Sequence, residues 1–293
     1  MNLLRPLALA AGLMAVAFTA QAQSVVVGGK NFTEQQLISE ITAQYLTEKG
    51  YDVDRRAGMG SAVLREAQEN GQVDVYWEYT GTSLLNYNKV EDRVPADQVY
   101  DTVKKLDAEK GLTWLQPSEA NNTYALAMQR DEAEEMGIKT LSDLASAMND
   151  GKDLTLASNA EWYARDDGLK PLQKTYGFEF PRSDVKRMDS GLTYQALKED
   201  QVDVALVFAT DGRIRAFDFV VLEDDKGFFP NYAMTPVVRT EVLEEMPELA
   251  DHLNALSERL NDDVMSTLNA RVDVEKETIE DVAADFLKQQ NLI

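Results

Sequence analysis

The sequence predicts an α/β protein of two lobes, each built on a largely parallel sheet flanked by helices. Two observations point there. Strand-like and helix-like segments alternate in both halves of the chain, the pattern of parallel sheets with crossover helices. In addition, Val73-Asp74-Val75 recurs as Val202-Asp203-Val204, and the same offset of 129 residues places Tyr79 over Phe208. Ligands of open parallel sheets collect beyond the carboxyl ends of strands, so two such lobes suggest a ligand held between them. The alternative is a chance recurrence with both aromatics in the core.

The elements follow in order. Residues 25–28 (VVVG) form a short apolar strand, and GGKNFTEQ (28–35) comes directly after. Thr33 and Gln36 have the spacing of a capping box, and Leu37, Ile38, Ile41, Tyr45 and Leu46 fall on one helical face that ends at Gly50. A second strand over 51–58, a helix over 61–71 and a strand over 73–81 complete the first unit. Segment 83–120 reads as mostly amphipathic helix. In the second half, 154–158 (LTLAS) and 184–191 read as strands, 194–201 as a short helix and 202–212 as a strand with its exit loop. Beyond residue 240, a Glu-, Leu- and Ala-rich stretch reads as surface helices packing against the first lobe.

The amino terminus, MNLLRPLALAAGLMAVAFTAQAQS, joins Arg5 to an apolar run from Leu7 to Ala20 and then to Ala20-Gln21-Ala22. That is the order of a cleaved secretory signal, residues 1–22, with the mature chain starting at Gln23. At about 14 residues the run is shorter than the roughly 20 that span a bilayer. There is no cysteine, so neither disulfides nor a lipidated amino-terminal cysteine are expected, and the expected setting is the periplasm with the protein a diffusing monomer. The net charge of −22, from 51 acidic and 29 basic residues, argues against nucleic acid and anionic lipid as partners.

Catalytic patterns are missing. His252 is the sole histidine, which with the lack of cysteine excludes the usual zinc and iron sites and most Cys-His or Ser-His nucleophiles. Gly28-Gly29-Lys30 has neither the phosphate-loop nor the dinucleotide spacing. No enzyme, metal or cofactor is expected. Tyr79, Tyr124, Phe208 and Tyr232 instead stand where strands give way to loops. Converging aromatic faces suit a cation that donates no hydrogen bond, quaternary ammonium above all; the alternative for each ring singly is a place in the core.

Together GGKNFTEQ, EYTGT (78–82), NNTYAL (121–126), ARDDG (164–168), GLTYQAL (191–197), TDGRI (210–214) and FFPNYAMTPVVR (228–239) make the chain resemble the substrate-binding proteins of osmoprotectant importers of the ABC class, the glycine betaine/choline-binding family. The resemblance covers essentially the whole mature chain. It implies a type II two-lobe clamshell, with lobe one about 24–121 plus 227–293 and lobe two about 122–226. It also implies an aromatic cage of Tyr79, Tyr124, Phe208 and Tyr232. Lys30, Thr82 and Arg165 would meet a ligand carboxylate, with Asn122 beside the cage. Phe208 stands where the family commonly has tyrosine, and Asn159 where it often has histidine. Trp162 is placed either to rim the cleft or to pack. The implied ligand is a quaternary amine, glycine betaine before choline, carnitine or proline betaine, and the implied partners are the permease subunits of the importer. A receptor's ligand-binding partner and an enzyme on the same scaffold are the readings of other classes.

Overall fold

Val25 and Val27 have no exposed surface, and the strand that carries them lies inside the first of two five-stranded sheets. The computed structural model describes residues 23–293 except positions 91 and 93, so the expected signal segment 1–22 lies outside the described residues. The strands are β1 (Ser24–Lys30), β2 (Asp52–Met59), β3 (Val75–Tyr79), β4 (Leu112–Trp114), β5 (Tyr124–Gln129), β6 (Leu156–Ser158), β7 (Val185–Arg187), β8 (Val204–Phe208), β9 (Phe219–Val221) and β10 (Met234–Arg239). The helices that position the site are α1 (Thr33–Glu48), α2 (Ser61–Glu69), α3 (Val99–Ala108), α4 (Ala160–Ala164), α5 (Ser190–Lys198), α6 (Asp262–Asp273) and α7 (Ile279–Gln289).

The two sheets share one plan, β2-β1-β3-β10-β4 and β7-β6-β8-β5-β9. In each, the first three strands are parallel and the fourth is antiparallel to both neighbours. The sheets are therefore largely parallel, with one reversed strand apiece. The reversal has a topological cause. The chain leaves each sheet at the end of β4 or β9 and enters the other at the start of β5 or β10. Strands that begin at the junction must run away from it. The two crossing segments touch through an isolated bridge between Asn121 and Ala233.

The 129-residue recurrence is structural. Val27 pairs with Val75, and Leu156 with Val204. Asp74 Oδ2 accepts the backbone N–H of Val26 at 2.8 Å, and Asp203 Oδ2 accepts that of Thr155 at 2.6 Å. Met234 faces Tyr79 across one ladder, and Tyr124 faces Phe208 across the other. The repeated aspartate thus stitches two parallel strands where they start, and the aromatic closes the strand where it ends.

Several local expectations change. The apolar face expected for α1 is buried throughout, but no capping box forms. Thr33 is already helical, Phe32 takes the cap position, and the Thr33 hydroxyl donates to Asp273 on α6 at 2.8 Å. Segment 83–120 is only partly helical: a π-turn (Ser83–Tyr87), then α3, then the three-residue β4, too short to show a period of two. The helices beyond 240 pack as expected on the first lobe, Met265, Leu268, Val282 and Phe286 meeting Leu37 and Ile38. Gly28 and Gly29 make room for α2 and α1. A Cβ on Gly28 would lie 2.6 Å from Leu64, and one on Gly29 would lie 2.8 Å from the Ser39 hydroxyl.

Candidate ligand cleft

The carboxyl ends of β1, β3, β6 and β8 and the start of β5 face one another across a cavity of about 770 Å³. Of the residues the sequence singled out, Lys30, Tyr79, Thr82, Asn122, Tyr124, Phe208 and Tyr232 line it, and Arg165 does not. Arg165 stands behind the wall, donating to Thr82 Oγ1 at 3.1 Å with its guanidinium 5.2 Å from the centre of the Tyr124 ring.

The four expected aromatics do converge, and a fifth joins them. Tyr124 lies 5.3 Å from Phe208 and meets Tyr232 edge-on at 5.5 Å. Phe32 stacks on Phe208 at 5.2 Å with planes 7° apart, and approaches Tyr79 at 6.3 Å. Phe32 sits in the quoted GGKNFTEQ motif, whose signal was there, but it lies in the turn between β1 and α1 rather than at a strand end. The ladder pairing of Tyr124 with Phe208 explains how two rings from distant segments share one wall.

Of the two places left open for Trp162, the structure takes the packing one: it is fully buried in the second lobe's core. Asn159 lines the cleft but is held by structure. Its Oδ1 caps α4 by accepting the Trp162 N–H at 2.6 Å, and its amide donates to Ser190.

The cations differ from expectation. Lys30 and Arg165 were to face a ligand carboxylate, yet each already holds one from the protein. Lys30 Nζ lies 2.5 Å from Glu78 Oε1, both side chains buried. Glu78 is held in turn by the Tyr79 N–H at 2.6 Å and the Tyr76 hydroxyl at 2.8 Å. Arg165 grips Asp167 with hydrogen bonds of 2.7 and 2.8 Å and reaches Glu161 at 3.0 Å. The physical reason is general: a cation taken out of water needs a partner. Burial alone would raise the Asp167 carboxyl, but Arg165 and the Tyr232 hydroxyl hold it below the usual range. Arg213 repeats the arrangement, holding Asp211 at 2.9 and 2.5 Å and Asp273 at 3.1 Å.

Glu34, on the first turn of α1, was hidden among the 51 acids. It lines the cavity and is 3% exposed. Its Oε1 accepts from the Tyr79 hydroxyl and the Asn122 amide, each at 2.7 Å. Its Oε2 accepts from the Thr210 hydroxyl and, at 3.1 Å, from the Asn269 amide. Burial pushes the carboxyl up, and these donors offset that only in part. Glu34 therefore ties α1 and α6 of the first lobe to the loop after β8 of the second. Other ties are Asn86 to Asp167 at 3.0 Å and Lys89 to Asp166 at 2.7 Å.

Known proteins agree with this architecture. The family model described as the substrate binding domain of ABC-type glycine betaine transport systems matches residues 23–289. The glycine-betaine-binding protein of Pseudomonas aeruginosa is 46% identical, the match spanning 100% of this chain and 96% of its own length. The glycine betaine-binding protein YehZ of Escherichia coli is 36% identical over 95% of this chain and 94% of its own. A solved structure titled as a glycine betaine/carnitine/choline ABC transporter superposes with a TM-score of 0.75 at 31% identity, over 92% of this chain and 99% of that one. With the two-lobe clamshell and its cleft, these matches mean that the chain belongs to the family of substrate-binding domains of ABC-type glycine betaine transport systems, solute-binding proteins without catalytic function.

Proposed function

We propose that the protein captures a quaternary ammonium solute, glycine betaine foremost, in the periplasm and delivers it to the permease subunits of an ABC importer. One observation carries the reading: Phe32, Tyr79, Tyr124, Phe208 and Tyr232 reach the same cavity from both lobes. Ring faces attract a methylated ammonium through their quadrupoles without asking it for a hydrogen bond. Lys30 and Thr82 lie beside the rings to meet the solute's other end, and Asn122 stands beside the cage with its amide on Glu34. Lobes of about 24–121 with 227–293, and 122–226, close over the solute, and the closed form is what the permease recognises. The exported form begins near Gln23.

The names of the relatives support glycine betaine, and the pairing of the cations favours a second reading. Because Lys30 and Arg165 are neutralised by Glu78 and Asp167, a solute with a neutral tail, such as choline, buries no stranded positive charge. The expectation that betaine outbids choline through those cations loses its electrostatic footing, and the choice falls to hydrogen bonding at the tail. Calorimetric titration with glycine betaine, choline, carnitine and proline betaine tests the reading. Binding of none of them overturns it, and the rank order decides between carboxylate and neutral tails.

A further inference from the structure

We propose that Glu34 is the fixed anion that makes this cleft selective for cations, a specificity role that rests on the quaternary-amine reading. Among the described residues, each of the other strongly buried carboxylates at the cleft has a cation within ion-pair distance: Lys30 for Glu78, Arg165 for Asp167, and Arg213 for both Asp211 and Asp273. Glu34 differs, having four neutral donors and no cation within ion-pair distance. An ionised carboxylate is acceptor-only, and one amide and one hydroxyl fill each of its oxygens. Dipoles of this kind hold a carboxylate in place but leave its net charge uncancelled.

The position of that charge matters. Tyr79 belongs to both systems: its ring lines the cavity near Phe32, and its hydroxyl donates to Glu34 at 2.7 Å. A phenol that donates to a carboxylate is polarised toward phenolate, which enriches the ring face that a cation meets. Glu34 thus acts on a bound cation directly, across a wall from which water is displaced, and again through Tyr79. A neutral solute of the same shape leaves the carboxylate uncompensated. Burial pushes the Glu34 carboxyl up and so works against the charge, while the four hydrogen bonds donated to it work for the charge. For a betaine, the same logic orients the solute, ammonium toward Glu34 and carboxylate away.

The test compares choline with its neutral carbon isostere, 3,3-dimethylbutan-1-ol, titrated into the wild-type protein and into Glu34→Gln. The variant is compatible with the fold. The Thr210 hydroxyl can turn to accept, and Asn269 Oδ1, buried without a partner, can face the new amide. Wild type is expected to prefer the cation by a hundredfold or more, and Glu34→Gln to shrink that ratio at least tenfold. A purely structural role weakens both ligands equally and leaves the ratio unchanged, which overturns the proposal. Should Glu34→Gln not fold, Asn269→Lys sets an ammonium beside the carboxylate and must shrink the ratio likewise; an unchanged ratio there is equally fatal. A wild type that binds choline and the isostere equally well refutes Glu34's role alone. A wild type that binds no quaternary amine refutes the functional reading and this one with it.

Discussion

Arg165 and Asp167 form a two-pronged ion pair, with hydrogen bonds of 2.7 and 2.8 Å, and the same carboxylate accepts the hydroxyl of Tyr232 from the other lobe. One pair therefore links the aromatic cage to the lobe-to-lobe contact. Arg165→Ala would strand Asp167 as a buried unpaired carboxylate, at a cost of about 3–5 kcal/mol. Glycine betaine and choline are accordingly expected to lose affinity together. Titration of both checks it; a tenfold larger loss for betaine would restore the carboxylate clamp that the sequence led one to expect.

Tyr124 touches Phe208, Tyr232 and the Arg165 guanidinium, which makes it the most connected ring of the cleft. Tyr124→Ala is expected to weaken quaternary-amine binding by about 1–2 kcal/mol or more, the range of a desolvated cation–π contact. Phe208→Tyr restores a hydroxyl to a ring already in place, so its effect should be under tenfold. Calorimetry on the two variants separates ring face from hydroxyl.

Gly212, in the second lobe, packs tightly against α6. A Cβ there would lie 2.4 Å from that of Ala270 and 2.7 Å from the Ser266 carbonyl oxygen. Gly212→Ala is expected to disfavour this contact between the second lobe and α6 by about 1–3 kcal/mol, the usual cost of overpacking. The measurement is solute affinity alongside unfolding temperature: affinity should fall tenfold or more while each lobe keeps its stability.

Asp107 is the buried anchor of the first lobe. Arg65 donates to it twice, at 2.8 and 2.7 Å, and Ser83, Asn88 and Trp114 add three more hydrogen bonds. Burial alone would raise its carboxyl, yet these partners, Arg65 first, lower it from 3.8 to about 2. A carboxyl held lower in the folded state stabilises the fold above its unfolded value, and that contribution is lost as pH falls through the folded one. Ionisation of Asp107 in this setting is therefore worth about 2–3 kcal/mol at neutral pH by linkage. In denaturant unfolding, the stability gap between wild type and Asp107→Asn should narrow from pH 4 to pH 2.

What the sequence discloses follows the reach of its patterns. The recurrence of Val-Asp-Val announces the duplicated strand because the aspartate's task is local to each strand pair. The aromatics at 79, 124, 208 and 232 are legible for the same reason, being large residues next to strand ends. Glu34 is not legible, since its partners lie 45, 88, 176 and 235 residues away and no spacing marks them. The pairing of Lys30 with Glu78 across 48 residues is equally silent, so two cations that look available from the sequence turn out to be neutralised. Phe32 falls outside that rule because it lies in the turn before α1, and Thr33 fits a capping motif that its real partner, Asp273, pre-empts.

Isothermal titration of the purified protein with glycine betaine and choline, repeated with Tyr79→Ala, Tyr124→Ala and Tyr232→Ala, tests the central claim most directly. The expected result is saturable one-to-one binding of at least one of the two solutes, weakened about tenfold or more by each substitution. Absence of binding to both, or binding that all three substitutions leave unchanged, would contradict it.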